Sequence, residues 1–328
     1  MKMNKTTVFV GIVVLLVVSA IWFFSNQKTQ LKQPKVQEAP IITELQADSQ
    51  SGIKTSLELT PKKPTAGEET TLTFAFKDNE GSPVKELMVH HDRLVHVLLV
   101  GEDLGVFGHV HPEDFGKISQ EDKDLGRYSV KFTFPKAGRY IVSAGIMVDN
   151  QNIPRQFVIQ VAGDSKLGSM AKDKRWEKCF KGYPQDGHDR YINPVFIQDA
   201  EVDCPQGYKV SMSSSNDLIK VGQKIKFTFN FEKDEKPLHM LSPYLGAGAH
   251  LAIVEEGLGA LLHRHGTPKG VEHEMEEHKQ SSLPKTFGPT LVSGDIIFPK
   301  SGTYQIFAQA KHEDEIIFSA FAVEVQSE

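Results

Sequence analysis

Short runs of alternating apolar and polar residues, separated by turn residues, make up most of the chain after residue 50. Thr70 to Phe76 and Lys224 to Phe231 alternate in this way, which is the pattern of strands with one buried face. Further predicted strands are His96 to Val100, Arg127 to Phe134, Arg139 to Ala144, Gln156 to Val161 and His250 to Val254. No convincing amphipathic helix interrupts them, so the pattern predicts an all-β fold of small antiparallel sandwiches of immunoglobulin type.

The strand pattern occurs twice, which indicates an internal duplication. Three histidines recur at a constant offset of 154 residues: His96, His109 and His111 return as His250, His263 and His265. Later, Phe134 to Tyr140 (Phe-Pro-Lys-Ala-Gly-Arg-Tyr) returns as Phe298 to Tyr304 (Phe-Pro-Lys-Ser-Gly-Thr-Tyr), shifted by 164. The ten extra residues lie around Val271 to Gln280. We predict two tandem domains, residues 51–162 and 206–328, with a loop enlarged in the second.

The amino terminus has a different pattern, an uncharged apolar run of 17 residues from Val8 to Phe24 after Lys2 and Lys5. At about 1.5 Å per residue, a helix of this length nearly crosses a bilayer core of roughly 30 Å. The positive flank favours a cytoplasmic segment 1–7, a transmembrane anchor at 8–24 and an extracytoplasmic remainder. A cleaved signal peptide, with Val18-Ser19-Ala20 as the cleavage site, is the alternative.

The segments between these parts are less regular. Residues 25–50 are polar and contain prolines, as expected of a tether. Residues 163–205 are rich in aromatic side chains and contain Cys179 and Cys204, the two cysteines of the chain, so we expect an ordered but mostly irregular connector. The two cysteines form a disulfide in an oxidising compartment or remain unrelated thiols. The net charge of −5 and the absence of a long basic block give no indication of a nucleic-acid partner.

The histidines of each repeat are predicted to share one face of a β-hairpin. If the turn lies at Glu102 to Gly105, paired residues sum to 207, so His96 lies opposite His111 and Leu98 opposite His109. Side chains at i and i+2, and those of directly paired residues, project from the same side of a sheet. The same rule pairs His250 with His265. A slip of one residue would remove His96 from the set.

Three neutral imidazoles suit Zn²⁺ or Cu²⁺, and the affinity order of divalent ions favours copper. The predicted metal ligands are therefore His96, His109, His111, His250, His263 and His265. Nearby side chains that could add ligands are Met88, His90, His91, His239 and Met240, and the inserted loop adds His273 and His278 among glutamates. Alternatively, the histidines are structural, because a duplicated fold also duplicates its scaffold residues. His188 and His312 are isolated and are not expected to bind metal.

Both repeats resemble the YtkA-like domains of exported bacterial proteins. The resemblance rests on Pro83-Val84, the stretch from His96 to Pro112, Phe134 to Tyr140 and, in the second copy, Pro243 to His250. It implies an immunoglobulin-like sandwich outside the cytoplasm and an association with heavy-metal or copper handling. The second copy departs from the pattern, since Gly266-Thr267 follows its His-x-His where the first copy has proline.

Three functions are consistent with these observations. The leading one is a single-pass membrane protein that captures or delivers copper or zinc outside the cytoplasm, with a membrane metal transporter or an oxidase complex as candidate partner. The second is a structural or protein-docking module that binds no metal. The third is a zinc-dependent hydrolytic or hydration enzyme, since three histidines leave a fourth position for water. No accompanying base has a distinctive spacing, and no HExxH or nucleophile motif is present, so we expect no catalytic residues and no enzymatic activity.

Overall fold

A computed structural model of the protein describes residues 41–45, 51–164, 207–271 and 283–327, together with the backbone of three short strands at 177–179, 182–184 and 195–199. The predicted anchor lies outside these residues, and so do His188, His273, His278, Cys204 and the side chain of Cys179. Within the part of the chain that is described, no helix is long and apolar enough to cross a membrane.

Nearly all regular structure in the described residues is β-strand. The first repeat contains β1 (Ile42–Glu44), β2 (Lys54–Thr60), β3 (Glu69–Lys77), β4 (Val95–Gly101), β5 (Val106–Val110), a 3-10 helix (Pro112–Phe115), α1 (Gln120–Asp124), β6 (Arg127–Thr133), β7 (Gly138–Val148) and β8 (Gln151–Val161). The connector contributes β9 (Glu177–Cys179), β10 (Gly182–Pro184) and β11 (Val195–Asp199). The second repeat contains β12 (Tyr208–Ser214), β13 (Ile219–Lys220), β14 (Lys224–Ile225), β15 (Phe227–Lys233), β16 (Lys236–Pro237), β17 (Leu241–Ser242), β18 (Ala249–Glu255), β19 (Leu261–Pro268), β20 (Thr290–Ser293), β21 (Ile296–Ile297), β22 (Gly302–His312) and β23 (Glu315–Gln326). The all-β prediction is confirmed.

The first repeat is a β-sandwich of two sheets. One has three strands in the order β2-β3-β6, and the other has seven in the order β1-β8-β7-β4-β5-β11-β9. Strand β3 alternates exposed and buried residues, so that Leu72, Phe74 and Phe76 are fully buried between the sheets. Strand β1 lies in the segment predicted as tether: Ile41 and Ile42 pack against the core, and β1 pairs with β8. These apolar side chains explain why the folded repeat begins earlier than predicted.

The connector also contributes strands to the sheets. Its strand β11 pairs in parallel with β5, β9 pairs with β11, and β10 pairs in parallel with β12 of the second repeat. The described strands of this segment extend the sheets of both repeats, and an ordered, mostly irregular connector stays a prediction for the rest of it.

In the second repeat the two sheets join into one continuous sheet of eleven strands around a separate core. The join is at Gly266 to Pro268, where β19 continues past its histidines and pairs with β20. In the first repeat the corresponding residues leave the sheet, because Pro112 begins the 3-10 helix immediately after His111. Pro lacks the N–H that a sheet requires and is favoured at the first position of a helix. This difference places Asp114 beside His111.

The repeated Phe-Pro-Lys-x-Gly-x-Tyr phrase forms the same turn in both copies. Gly138 and Gly302 have φ values of 140° and 138°, a region that favours glycine. The hydroxyl of Tyr140 donates a hydrogen bond to the carbonyl of Lys136 at 2.8 Å, and Tyr304 bonds Lys300 at 3.1 Å. The tyrosine therefore ties the start of β7 and β22 to the preceding turn.

The two repeats pack on each other through the sheets that contain the histidines. Every residue of β4 is buried, because odd-numbered positions such as Val97 and Leu99 face the sandwich core and even-numbered positions face the other repeat. A third apolar cluster joins the repeats. In it, the ring centroids of Phe107 in β5 and Phe307 in β22 lie 4.9 Å apart. The histidines lie on this interface face.

Candidate metal centre

Strands β4 and β5 have the register that the sequence predicted. Leu98 pairs with His109 and Val97 with Val110, so paired residues sum to 207. In the second repeat His250 pairs with His265, also as predicted. The three histidines of each repeat therefore project from one face of a hairpin, toward the interface between the repeats.

The three histidines of the first repeat bring one nitrogen each to a common point, and we call them the first triad: His96, His109 and His111. His96 Nδ1 lies 3.2 Å from His109 Nε2 and 3.1 Å from His111 Nε2. The latter two nitrogens are 3.1 Å apart. The three atoms form a nearly equilateral triangle.

The opposite nitrogen of each ring is held by an oxygen atom. His96 Nε2 donates to the carbonyl of His90 at 2.9 Å, and His109 Nδ1 to Oε1 of Gln309 at 2.9 Å. His111 Nδ1 donates to Oδ2 of Asp114 at 3.0 Å. A neutral imidazole carries one N–H, so an outward proton leaves the inner nitrogen as a lone-pair acceptor. Three lone pairs then converge on one point, an arrangement that a cation stabilises.

Burial keeps His96 and His109 neutral. It lowers the pKa of His109 to about 3, with a smaller contribution from the charge of His111. Burial also lowers the pKa of His96 well below its ordinary value, helped by the neighbouring histidines. For Asp114, burial raises the pKa, but the hydrogen bond from His111 and the charge of Arg93 more than offset it. The carboxyl is therefore ionised at neutral pH and can hold the His111 proton.

The triangle fits the coordination geometry of a first-row transition metal. Zn²⁺ binds imidazole nitrogen at about 2.0–2.1 Å, and an ion at that distance from all three nitrogens would sit about 1 Å above their plane. Metal-bound histidines almost always donate their other N–H to a carboxylate, a carbonyl or water. In the first triad, a backbone carbonyl accepts the proton of His96 and a carboxylate accepts that of His111. The side-chain amide of Gln309 accepts that of the third histidine.

The second triad, His250, His263 and His265, is less complete. His250 Nδ1 lies 3.2 Å from His263 Nε2, and His250 Nε2 donates to the carbonyl of Tyr244 at 3.1 Å. The position that corresponds to Asp114 is Pro268, and the one that corresponds to Gln309 is Gly145, so neither acceptor side chain is duplicated. His265 Nε2 is buried and has no hydrogen-bond partner among the described residues.

The two triads face each other across the boundary between the repeats. The ring centroids of His96 and His263 are 5.2 Å apart, and those of His109 and His250 are 5.3 Å apart. One ligand nitrogen from each of these four rings lies within 4.8 Å of the others. The sequence predicted one histidine cluster in each repeat and left open whether the two act across one interface, and the fold brings all six histidines into one centre.

Several site residues were not predicted as part of the centre. Gln309 is 200 positions from the histidine that it orients, and only its place beside His250 in the sheet indicates its role. Arg93 lies 3.8 Å from Asp114 and supports the carboxylate. His90 and His91 were noted as neighbours, and they form a further group with His265.

Other candidates lie outside the centre. His239 is exposed and belongs to neither histidine group, and Met240 is also exposed. His312 is buried and accepts or donates a hydrogen bond at 2.7 Å with the hydroxyl of Tyr208, a structural role that agrees with the sequence analysis.

Comparisons with solved structures give only remote likenesses. The FdeC adhesin of Escherichia coli is 12% identical, with 83% of this chain and 64% of that chain covered and a TM-score of 0.21. The ectodomain of mouse nectin-like molecule 4 is 9% identical, with 87% and 66% covered and a TM-score of 0.18. Salmonella alpha-2-macroglobulin reacted with methylamine is 9% identical, with 87% and 15% covered and a TM-score of 0.23.

The chain spans less than two thirds of the length of each of these three structures, and at such TM-scores they carry no argument about its function. No curated protein matches the chain. A family model does match it, over residues 48–163 and 200–327, in agreement with the two repeats. The chain belongs to the family described as Domain of unknown function (DUF8832).

Proposed function

We propose that this protein binds a transition-metal ion, copper or zinc, at the first triad. One observation carries the proposal: three buried imidazole nitrogens lie 3.1–3.2 Å from one another while each outer N–H is fixed on an oxygen atom. A set of structural histidines would use its inner nitrogens to bond protein donors. Here the inner nitrogens face each other and the imidazoles of the second triad, which disfavours the metal-free arrangement and favours a bound cation.

Copper is the expected ion where both metals are present. The affinity of nitrogen ligands for divalent first-row ions rises to Cu²⁺ and falls again at Zn²⁺. The orientation and the burial of the three rings suit either ion, so this order of affinity should hold at the first triad. We therefore expect a lower dissociation constant for Cu²⁺ than for Zn²⁺.

The four rings His96, His109, His250 and His263 are expected to hold one ion rather than two. Their ligand nitrogens lie within 4.8 Å of one another, so two ions among them would be close neighbours. Two divalent ions about 5 Å apart repel by about 13 kcal/mol at an effective dielectric constant of about 20. Asp114 is the carboxylate that contacts the centre, and one negative charge does not offset that repulsion. His250 and His263 are then available as additional ligands for the same ion.

Location and partners are part of the same proposal. The apolar run Val8 to Phe24 and the resemblance to exported YtkA-like domains support a membrane-anchored protein with its repeats outside the cytoplasm. Capture or delivery of the metal there, to a membrane transporter or an oxidase complex, is the role that we propose. Lack of enzymatic activity stays a prediction.

The direct test is metal binding by the full chain, purified in detergent without a histidine tag. Titration with Cu²⁺ and with Zn²⁺, followed by metal analysis, should show one tightly bound ion. The double substitution His109→Ala plus His111→Ala removes two of the three ligands, so affinity should fall more than about 100-fold, beyond the usual effect of losing an orienting residue.

A matched control is His239→Ala, which removes an exposed histidine outside both groups. It should bind the ion as the wild type does. Circular dichroism and the melting temperature show whether the double variant still folds. If a folded double variant binds copper and zinc unchanged, the proposal is wrong.

A protein-docking module without metal is the second candidate function. The observation that favours it is the exposure of two apolar side chains in the segment that leads to His90: Met88 is 42% exposed and Val89 is 61% exposed. A melting temperature that neither metal raises would support this candidate, because an ion that binds only the folded state must stabilise it.

A further inference from the structure

A second group of histidines lies at the solvent-facing edge of the six-histidine centre. His90 and His91 of the first repeat and His265 of the second each place a ligand nitrogen within 4.8 Å of the others. All three side chains are partly exposed. We call this group the outer site.

The outer site is built where equivalent turns of the two repeats meet. His90 to Arg93 forms one turn, and Tyr244 to Ala247 forms its counterpart. Gly246 has φ +75°, and a Cβ there would lie 3.2 Å from the Cα of His91. Glycine thus permits the close approach that places the His91 ring 3.8 Å from that of His265.

His91 is held in the way that the first triad is held. It forms a hydrogen bond with the backbone of Gly246, which leaves its other nitrogen available as a ligand. Burial lowers the pKa of His91, and the bond to Gly246 and the charge of Asp92 only partly oppose this.

His265 connects the outer site to the buried histidines. Its ring centroid lies 4.8 Å from that of His250 and 4.7 Å from that of His263. Its Nε2 is buried without a hydrogen-bond partner among the described residues, which is costly for a polar atom and which a metal ion would satisfy.

The outer site has no counterpart in the other half of the molecule. The positions that correspond to His90 and His91 are Tyr244 and Leu245, so the second repeat contributes no histidine to the first triad from its turn. The duplicated fold therefore has one fully oriented buried triad and one partly exposed group at its edge.

We propose that His90, His91 and His265 form a second, weaker metal site, at which a transition-metal ion binds from solvent and through which it reaches the buried triad. The site itself stands on the geometry of these three side chains. Its role as a route rests on the proposed function of the first triad. Because the outer site is partly exposed, an ion should exchange with solvent faster there than at the buried triad. His265 contacts both groups of histidines and gives the ion a short path inward.

The test compares the wild type with two double variants of the full chain in separate titrations with Cu²⁺ and Zn²⁺. The wild type should bind one tight ion and a second at least about tenfold more weakly, since the orienting acceptors of the first triad are worth about 10- to 100-fold in affinity. His90→Ala plus His91→Asn should lose the weaker ion and keep the tight one. Asparagine tolerates the φ of 49° at position 91, which preserves the turn.

Uptake kinetics test the route. After rapid mixing with one equivalent of Cu²⁺, the His90→Ala plus His91→Asn variant should fill the tight site at least about tenfold more slowly than the wild type or the control His239→Ala. If this variant loses the weaker ion but fills the tight site at the wild-type rate, the outer site stands and its role as a route is wrong. Two ions bound as in the wild type would overturn both.

A folded His109→Ala plus His111→Ala variant separates this proposal from the proposed function. It should lose the tight ion and keep the weaker one. If the wild type binds no tight ion but shows a weak one that disappears with His90→Ala plus His91→Asn, the outer site stands and the first triad fails as a metal site.

Discussion

Single residues outside the six histidines determine which triad has its rings fixed in orientation. Asp114 and Gln309 accept the outer protons of His111 and His109, while Pro268 and Gly145 occupy the corresponding places in the second repeat. The ligands were duplicated and kept, but each repeat received a different set of orienting neighbours. The difference between the two sites therefore comes from the residues that fix the rings rather than from the histidines themselves.

The Asp114→Asn substitution should lower metal affinity by about 10- to 100-fold without unfolding the protein. The amide keeps the shape of the side chain but has no charge to strengthen the bond from His111 Nδ1. Calorimetric titration with Cu²⁺ measures the effect. Asp149→Asn is the control, since Asp149 is an exposed carboxylate with positive φ that asparagine tolerates. Equal affinity in Asp114→Asn and the wild type would show that the carboxylate does not orient the ligand.

At the scale of elements, strand β5 carries His109 and ends one residue before His111, and its position depends on Gly108. A Cβ at this residue would lie 2.4 Å from the ring of Phe132 and 3.2 Å from Leu99. The strand can therefore approach the opposite sheet only with glycine between Phe107 and His109. Packing inside the sandwich and the placement of His109 are thus coupled through one residue.

The Gly108→Ala substitution should reduce the free energy of unfolding by about 1–3 kcal/mol, the usual cost of forcing extra volume into a packed core. Displacement of β5 should also weaken metal binding, because it moves His109 relative to His96. Urea denaturation and Cu²⁺ titration measure the two effects. Gly288→Ala adds the same methyl group where no atom lies within 4 Å, and it should change neither quantity. Stability retained in Gly108→Ala would mean that β5 can shift freely.

Hairpin geometry was predictable from the sequence because it depends on local order. The turn at Glu102 to Gly105 and the two-residue alternation of strands were enough to place His96, His109 and His111 on one face. The boundary of the first repeat was less well predicted, since strand β1 forms only because Ile41 and Ile42 find an apolar partner in the core. That partner lies more than a hundred residues away in the chain.

At the scale of the whole molecule, the alternation of apolar and polar residues could not predict that the two repeats pack on each other through their histidine faces. The run from Val97 to Val100 is apolar at every position, and this was the available signal, because such a run indicates a strand that is covered on both faces. It does not identify the covering partner. The contact of His109 with Gln309, and of His91 with His265, follows only from the docking of the two repeats.

The docking also makes the metal-free protein sensitive to acid. Burial, reinforced by neighbouring histidines, lowers the pKa of His96, His250, His263 and His265 well below the ordinary value of 6.5, and that of His109 to about 3. In the unfolded chain these rings bind protons below about pH 6.5, whereas in the folded protein they stay neutral. The unfolded state then binds more protons, so the free energy of unfolding falls as the pH falls.

Urea denaturation of the metal-free protein between pH 8 and pH 5 should therefore show constant stability above about pH 7 and a steep loss below about pH 6.5. Each such histidine contributes up to about 1.4 kcal/mol per pH unit. His109→Asn removes one of these groups and should make the slope shallower, whereas the exposed control His239→Ala should leave it unchanged. Bound Cu²⁺ should delay the loss to lower pH, because the ion stabilises the neutral rings in the folded state. A stability that stays level down to pH 5 would mean that these five histidines are not packed together as neutral groups.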